Sequence, residues 1–269
     1  MKIIIKKKKL IKLIHRERNL GFVPTMGALH KGHASLIKKS VKECKKTIVS
    51  IFVNKPQFNK KSDYKKYPRT LKKDIFYLRK LKVNILFMPT TKQIYPNGRN
   101  KKLKINSFKR QLCGKFRPGH FDAVVDVVDR FIKIIKPNKI YFGNKDFQQL
   151  LLIKEFSKKN HKNIKIIGCK TVREKNGIAL SSRNFLLSKK EKIIASKIYN
   201  LLKKSKRSLI RNIKKLQTLK YKICQLGNIK IDYIKILNIN KIIKPYRKNI
   251  RYKIFVAYYI GKTRLIDNI

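Results

Sequence analysis

The chain has 269 residues and a mass of 31.8 kDa, room for one large domain or two modest ones at about 100–200 residues each. Its hydrophobic fraction of 42% excludes a mainly disordered chain, and no run of about 18 apolar residues is present to span a membrane. Lys and Arg number 71 against 13 Asp and Glu, a formal charge of +58 that would mark a polyanion-binding surface if it were clustered. It is dispersed instead, from Lys2 to Lys262, and Ala occurs only six times. Residues with AT-rich codons (Lys, Ile, Asn) replacing those with GC-rich ones is the signature of compositional drift, so no specific nucleic-acid partner is expected.

At the N-terminus the apolar start Met1-Lys2-Ile3-Ile4-Ile5 is broken by Lys6 to Lys9, too early for a signal-peptide core. That lysine run reads as a solvated face. Residues 20–23, 47–53, 83–88, 140–142 and 164–167 read as buried strands, being short, β-branched or aromatic, and ended by Pro, Gly or polar residues. Helical spacing fills 33–46 (Ile37, Val41 and Cys44 on one face), 70–81 and 121–135. Strands alternating with helices predict an α/β fold with a Rossmann-like parallel sheet covered on both faces, whose site forms at the C-terminal strand ends. From about Gly177 the pattern changes. Ser188-Lys189-Lys190-Glu191 is a capping box ahead of a long helix, and 231–237 and 253–260 are late strand candidates. The predicted organisation is therefore residues 1–176 as a catalytic domain and 177–269 as a smaller, lid-like α+β domain. Cys44, Cys113, Cys169 and Cys224 are scattered, with no metal spacing, and read as free thiols of a reducing, cytoplasmic compartment.

The densest local signal is Val23-Pro24-Thr25-Met26-Gly27-Ala28-Leu29-His30-Lys31-Gly32-His33. It follows a strand and opens a helix. Pro24 and Gly27 shape the turn, and Gly32 removes a side chain where a ligand could approach the backbone. The helix N-terminus suits a phosphate. Two His three residues apart can face that phosphate, and each would supply a charge that changes near pH 7.

This H-x-G-H element resembles the signature of the nucleotidyltransferase superfamily. Further motifs follow along the chain: Ser50-Ile51-Phe52-Val53-Asn54 with Gln57-Phe58, Tyr67-Pro68-Arg69-Thr70 and Arg117-Pro118-Gly119-His120-Phe121. Phe142-Gly143-Asn144-Lys145-Asp146-Phe147-Gln148-Gln149, Leu180-Ser181-Ser182-Arg183-Asn184 and the tail Arg264-Leu265-Ile266-Asp267-Asn268 complete them. Together, over nearly the whole length and in the same order, they resemble the pantothenate synthetase (pantoate–β-alanine ligase) family. The resemblance implies a ligase that activates pantoate with ATP as an acyl adenylate, then condenses it with β-alanine. Mg²⁺ is implied as the companion of ATP, and a homodimer as the assembly.

By this resemblance the ATP site comprises Met26, Gly27, Ala28, Leu29, His30, Lys31, Gly32, His33, Gly143, Asn144, Lys145, Asp146, Val172, Leu180, Ser181, Ser182 and Arg183. His30, His33, Lys145 and Arg183 are the four candidate cations, with His33 as the general acid. Asp146 lies beside the ribose, Val172 and Leu180 border the adenine, and Ser181 and Ser182 can donate to phosphate oxygens. Gln57 and Gln149, assisted by Asn54, hold pantoate, with Gln57 also near β-alanine. Asp74 is a weak candidate for holding the metal. Pro56 stands one place later than in the family pattern, and Asn176 replaces an Asp. Asp122, Asp126 and Asp129 are unusual for the family too. The alternatives are another H-x-G-H adenylyl- or cytidylyltransferase, which would lack the paired Gln, and a basic nucleic-acid-binding protein. A P-loop is disfavoured, since Val256 stands where the first Gly before Gly261-Lys262-Thr263 belongs.

Overall fold

The computed structural model describes residues 1–242, 248 and 250–269. In chain order the elements are β1 (Lys2–Ile4), α1 (Lys7–Ile14), β2 (Leu20–Thr25), α2 (Lys31–Glu43), β3 (Lys46–Ile51), α3 (Lys61–Lys66), α4 (Leu71–Lys80), β4 (Ile85–Phe87), α5 (Thr91–Ile94), α6 (Cys113–Phe116), α7 (His120–Ile135), β5 (Lys139–Gly143), α8 (Phe147–Asn160), β6 (Lys165–Cys169), α9 (Lys189–Arg211), α10 (Lys215–Cys224), β7 (Ile229–Asn238), β8 (Tyr252–Ile260) and β9 (Thr263–Asn268). The first six strands form one sheet in the order β1-β4-β3-β2-β5-β6, and every pairing in it is parallel.

Side chains alternate across a strand, so each strand of this sheet feeds two cores. Phe22, Ile48, Ile85, Phe87, Ile140 and Phe142 pack on one face under α1, α7 and α8. Their neighbours Val23, Val49, Leu86 and Tyr141 pack on the other under α2 and α4. Burial on both faces is why these strands read as unbroken apolar runs. From β2 the chain winds outward through β3 and β4, then returns to the other side of β2 for β5 and β6. The order reverses between β2 and β5, and a crevice opens there beyond the strand C-termini.

The rest of the chain builds an antiparallel sheet, β7-β8-β9, with α9 and α10 on it. The capping box at Ser188 is formed: its hydroxyl accepts from Glu191 N, and the Glu191 carboxylate accepts from Ser188 N. Phe108, Leu112, Phe121 and Leu152 join Tyr233, Phe255 and Ala257 in a cluster that ties the two sheets together.

Several elements differ from the sequence reading, among them the helix α8 and the short helices α3, α5 and α6, which it does not mark. The lysine run at residues 6–9 is not only a solvated face, since Lys7–Ile14 is a helix that buries Leu10 and Ile14. Lys2–Ile4 is an edge strand beside β4, too short to stand out. The tail Thr263–Asn268 is a strand paired with β8, and Gly261, at φ +54°, lies in the turn before it. Polar residues alternate along β9, so no apolar run announced it.

Candidate active site

The segment after β2 is folded by its own polar contacts. Gly27 and Ala28 both take positive φ, +79° and +50°. Ala28 has a Cβ, so this conformation needs outside support. Asp74 of α4 supplies it, its two carboxylate oxygens each accepting one backbone N–H, from Ala28 and Leu29, at 2.9 Å. The Thr70 hydroxyl donates to the same carboxylate at 3.1 Å. Asp74 is 2% exposed. The expected metal candidate is thus a buried brace for the loop, both of its carboxylate oxygens accepting hydrogen bonds inside the protein.

His30 caps α2. Its Nδ1 accepts from Gly32 N at 3.1 Å, and His33 Nδ1 accepts from His30 N at 3.4 Å. A Cβ at Gly32 would stand 2.7 Å from the His30 ring, so this glycine makes room for the cap. The rings lie with centroids 4.1 Å apart. Burial and the nearby Lys145 ammonium lower the His30 pKa to about 4, opposed by Asp146. Burial, His30 and Lys145 hold His33 well below the ordinary value. The expectation of a charge switching near pH 7 is corrected by this desolvation: both rings are neutral there. An Nδ1 that accepts carries no proton, so each ring bears its proton on Nε2.

His30, Gly32, His33 and Met26 line a cavity of about 250 Å³ together with Gly143, Lys145 and Asp146 from the end of β5. Val172, Leu180, Ser181, Ser182 and Arg183 close it from the segment after β6. Asn54, Gln57 and Gln149 line its other side. Gly27, Ala28, Leu29, Lys31 and Asn144 do not line it. The first three form the braced turn, Lys31 is exposed, and Asn144 turns its carbonyl toward β9.

Of the four expected cations, two are neutral imidazoles and two are permanent charges in different situations. The Lys145 ammonium has no hydrogen-bond or ion-pair partner among the described residues, whereas Arg183 donates to Asp63 of α3 at 2.8 Å. Ser182 is buried and its hydroxyl donates to Ala28 O at 3.0 Å, so it ties this segment to the braced turn. Ser181 Oγ accepts from Arg183 N at 3.3 Å. The acidic residues tell a similar story. Asp122, Asp126 and Asp129 are paired with Lys109, Arg130 and Lys133, away from the cavity. Among the described residues, Asp146 is the one acidic side chain whose carboxylate makes neither a hydrogen bond nor an ion pair, and it faces the cavity.

Pro56 sits inside the short 3₁₀ turn Lys55–Gln57, and Gln57 still reaches the cavity. Its Oε1 accepts from Asn54 Nδ2 at 3.1 Å and its Nε2 lies 2.9 Å from Met26 Sδ. Asn54 is 1% exposed and also accepts from the Tyr95 hydroxyl at 2.8 Å, so it supports Gln57 from below. Gln149 faces the cavity while Gln148 points away, bonded to the backbone of Phe108, Gln111 and Cys113.

Arg117 and His120 belong to the motif Arg117-Pro118-Gly119-His120-Phe121, which by itself assigns them no role. Both line the cavity, and both donate to Gln57 O, at 3.1 and 2.8 Å. Arg117 Nη1 also donates to His120 Nε2 at 3.1 Å. Burial and the Arg183 and Arg264 guanidiniums draw Arg117 down to about 10, so it remains a cation at pH 7. A smaller pocket of about 70 Å³ adjoins the cavity here and shares Arg117, Lys145, Asp146, Gln149 and Arg183 with it. The signal in the sequence was the motif itself, since a Lys-rich chain that places Arg beside Pro-Gly-His needs a planar donor there.

The arrangement can bind a polyanion and a carboxylate side by side and do little covalent work itself. The family profile described as pantoate-beta-alanine ligase matches residues 2–269. A pantothenate synthetase of Azobacteroides pseudotrichonymphae is 43% identical over 268 residues, covering 97% of this chain and 95% of that protein. One from Francisella tularensis subsp. mediasiatica is 45% identical over 257 residues, covering 94% and 90%. The crystal structure of the Francisella tularensis pantoate-beta-alanine ligase complexed with beta-gamma ATP and beta-alanine matches 100% of this chain and 97% of that one, at TM-score 0.86 and 42% identity. The pantothenate synthetase of Thermus thermophilus superposes at TM-score 0.90 with 31% identity, covering 100% and 99%. The chain belongs to the pantoate–β-alanine ligase family.

Proposed function

We propose that this protein is a pantoate–β-alanine ligase that makes pantothenate from pantoate and β-alanine, with ATP converted to AMP and pyrophosphate. The observation that carries the reading is the meeting of two imidazoles, Lys145, Arg183 and two glutamines at one cavity, from segments separated by more than a hundred residues. Pantoate is already a carboxylate and needs no base. Its oxygen attacks the α-phosphorus of ATP in line, the bond to the bridging oxygen breaks, and pyrophosphate leaves. Lys145 and Arg183 offset the charge on the departing phosphates, and the neutral His30 and His33 offer Nε2–H donors to the same oxygens. The amine of β-alanine then attacks the acyl carbon and AMP leaves. Gln57 and Gln149 are suited to pantoate because an amide can donate to its carboxylate and accept from its hydroxyls. Arg117 is the cation placed to receive the β-alanine carboxylate, next to Gln57. Val172 and Leu180 give the adenine an apolar border, and Asp146 is free to accept from the ribose hydroxyls.

Among the described residues no three His, Cys, Asp or Glu side chains gather to hold a metal. Mg²⁺ would enter with ATP and offset the charge of its phosphates, with Asp146 as the unpaired carboxylate at the cavity that could face it. The homodimer and a cytoplasmic setting rest on the family resemblance, and the four free cysteines fit a reducing compartment. No described helix is long and apolar enough to cross a membrane. The division into 1–176 and 177–269 is supported by separate cores, the second drawn from Ile178 onward.

The deciding experiment supplies ATP, Mg²⁺ and D-pantoate with and without β-alanine. Pyrophosphate release that needs pantoate, and pantothenate formation that needs both, is the expected result. Nucleotide turnover indifferent to pantoate would leave another H-x-G-H nucleotidyltransferase as the better description. Replacing His33 with Ala should abolish most adenylate formation while the fold persists.

A further inference from the structure

We propose that Asn268, the penultimate residue, is a positioning residue for Lys145, so that the C-terminal strand sets the affinity of the site for the nucleotide. The inference rests on the ATP reading of the cavity.

The Lys145 ammonium faces the cavity with no hydrogen-bond or ion-pair partner among the described residues, so its placement depends on its backbone. That backbone belongs to the 3₁₀ turn Asn144–Asp146 between β5 and α8. The two carbonyls of Asn144 and Lys145 point toward β9, and the Asn268 side chain meets both. Its Nδ2 donates to Asn144 O and to Lys145 O, each at 2.8 Å. Its Oδ1 accepts from Lys253 Nζ at 2.8 Å. An ammonium can only donate, so Lys253 fixes which end of the amide is oxygen and which is nitrogen. Asn268 is 4% exposed, and in such a setting carbonyls that lose this donor would seek another by moving. No other side chain of the described residues bonds these carbonyls.

The position of Asn268 is itself over-determined. Its backbone N donates to Asp267 Oδ1 at 2.7 Å, while Asp267 forms a two-pronged ion pair with Arg173 at 2.5 and 2.9 Å. Arg173 directly follows Val172, which also lines the cavity. Two consecutive residues of β9 thus grip the Lys145 turn and the segment after β6 together. A shift of about 1 Å in the turn would be carried to the end of the Lys145 side chain, where charge is needed.

The test is a double-mutant cycle read by calorimetric titration of the full-length protein with Mg-ATP. Asn268→Asp keeps the shape and the Lys253 contact but presents acceptors to the two carbonyls. It is expected to weaken ATP binding about tenfold, with the KM for pantoate changed less than about twofold. In a Lys145→Ala background the same substitution should change ATP binding less than about twofold. An equal loss in both backgrounds, or unchanged ATP binding in the single variant, overturns the proposal. If Asn268→Asp does not fold, Asn268→Ser, which keeps one donor, takes its place in the cycle under the same criteria. Failure of the pantoate and β-alanine assay in the parent protein would refute the assigned reaction, while the ATP titrations would still decide the role of Asn268.

Discussion

Arg183 donates to the Asp63 carboxylate at 2.8 Å, an ion pair that joins α3 to the segment after β6. In the free protein the cation expected to meet the phosphates is therefore already engaged. Both side chains are partly exposed, at 24% and 36%, so the pair is worth at most about 1 kcal/mol. Asp63→Asn should release Arg183 and tighten ATP binding by up to about fivefold. Titration calorimetry at low and high salt checks this, and weaker binding at both would mean that Asp63 holds Arg183 in its productive place.

Asp74 braces the turn that presents Met26 and His30, through Ala28 and Leu29 N–H. Asp74→Ala orphans two buried donors and should cost about 2–4 kcal/mol of stability in urea unfolding. The milder Asp74→Asn should leave the Mg²⁺ concentration for half-maximal activity within about twofold. A rise of tenfold or more would return Asp74 to the metal.

Acid should loosen this protein through its histidines. The folded-state pKa of His30 is about 4 against an ordinary 6.5, lowered by burial and Lys145. Between those values the unfolded chain binds a proton that the folded one does not, so stability rises with pH across the window. The contribution is complete above 6.5, is lost by about 4, and amounts to roughly 3 kcal/mol. His33 and His120, held low by burial, steepen the same limb. Urea midpoints at pH 7.5, 6 and 5 measure the slope. His30→Asn, which can still accept from Gly32 N, should flatten it, and an unchanged slope would place the titration elsewhere.

Arg117→Lys separates the two half-reactions. His120 continues to hold Gln57 O, so pantoate-dependent pyrophosphate release should stay within about threefold. The KM for β-alanine should rise about tenfold or more, because a point charge replaces a planar donor pair. Parallel losses in both half-reactions would make Arg117 a prop for Gln57 alone.

The H-x-G-H turn, the buried strands β2 to β5 and the motif order were legible in the sequence, because each rests on neighbours a few residues apart or on a periodicity of burial. Residues 164–167, read as buried too, belong to the sheet-edge strand β6, which is exposed or half-buried along Lys165–Gly168. The role of Asp74 was not. It acts on Ala28 and Leu29 from 46 and 45 positions away, and nothing near Asp74 in the chain marks it as a loop brace. The same holds for Ser182, whose hydroxyl is used 154 positions away on Ala28. Gln148 and Gln149 are adjacent and chemically identical, and only the start of α8 turns one into the cavity and the other into the backbone of Phe108.

Local chemistry therefore determined what kind of reaction this chain can support: two imidazoles at a helix start, a Lys and an Arg in loops after strands, and amides for a hydroxy acid. The tertiary structure decided the state in which those groups stand. Burial removes the charge from both imidazoles, an acidic residue on α3 occupies Arg183, and the last strand reaches back to hold the turn of Lys145. Desolvation and long-range hydrogen bonding depend on what surrounds a residue in space, which short-range patterns in a chain do not encode.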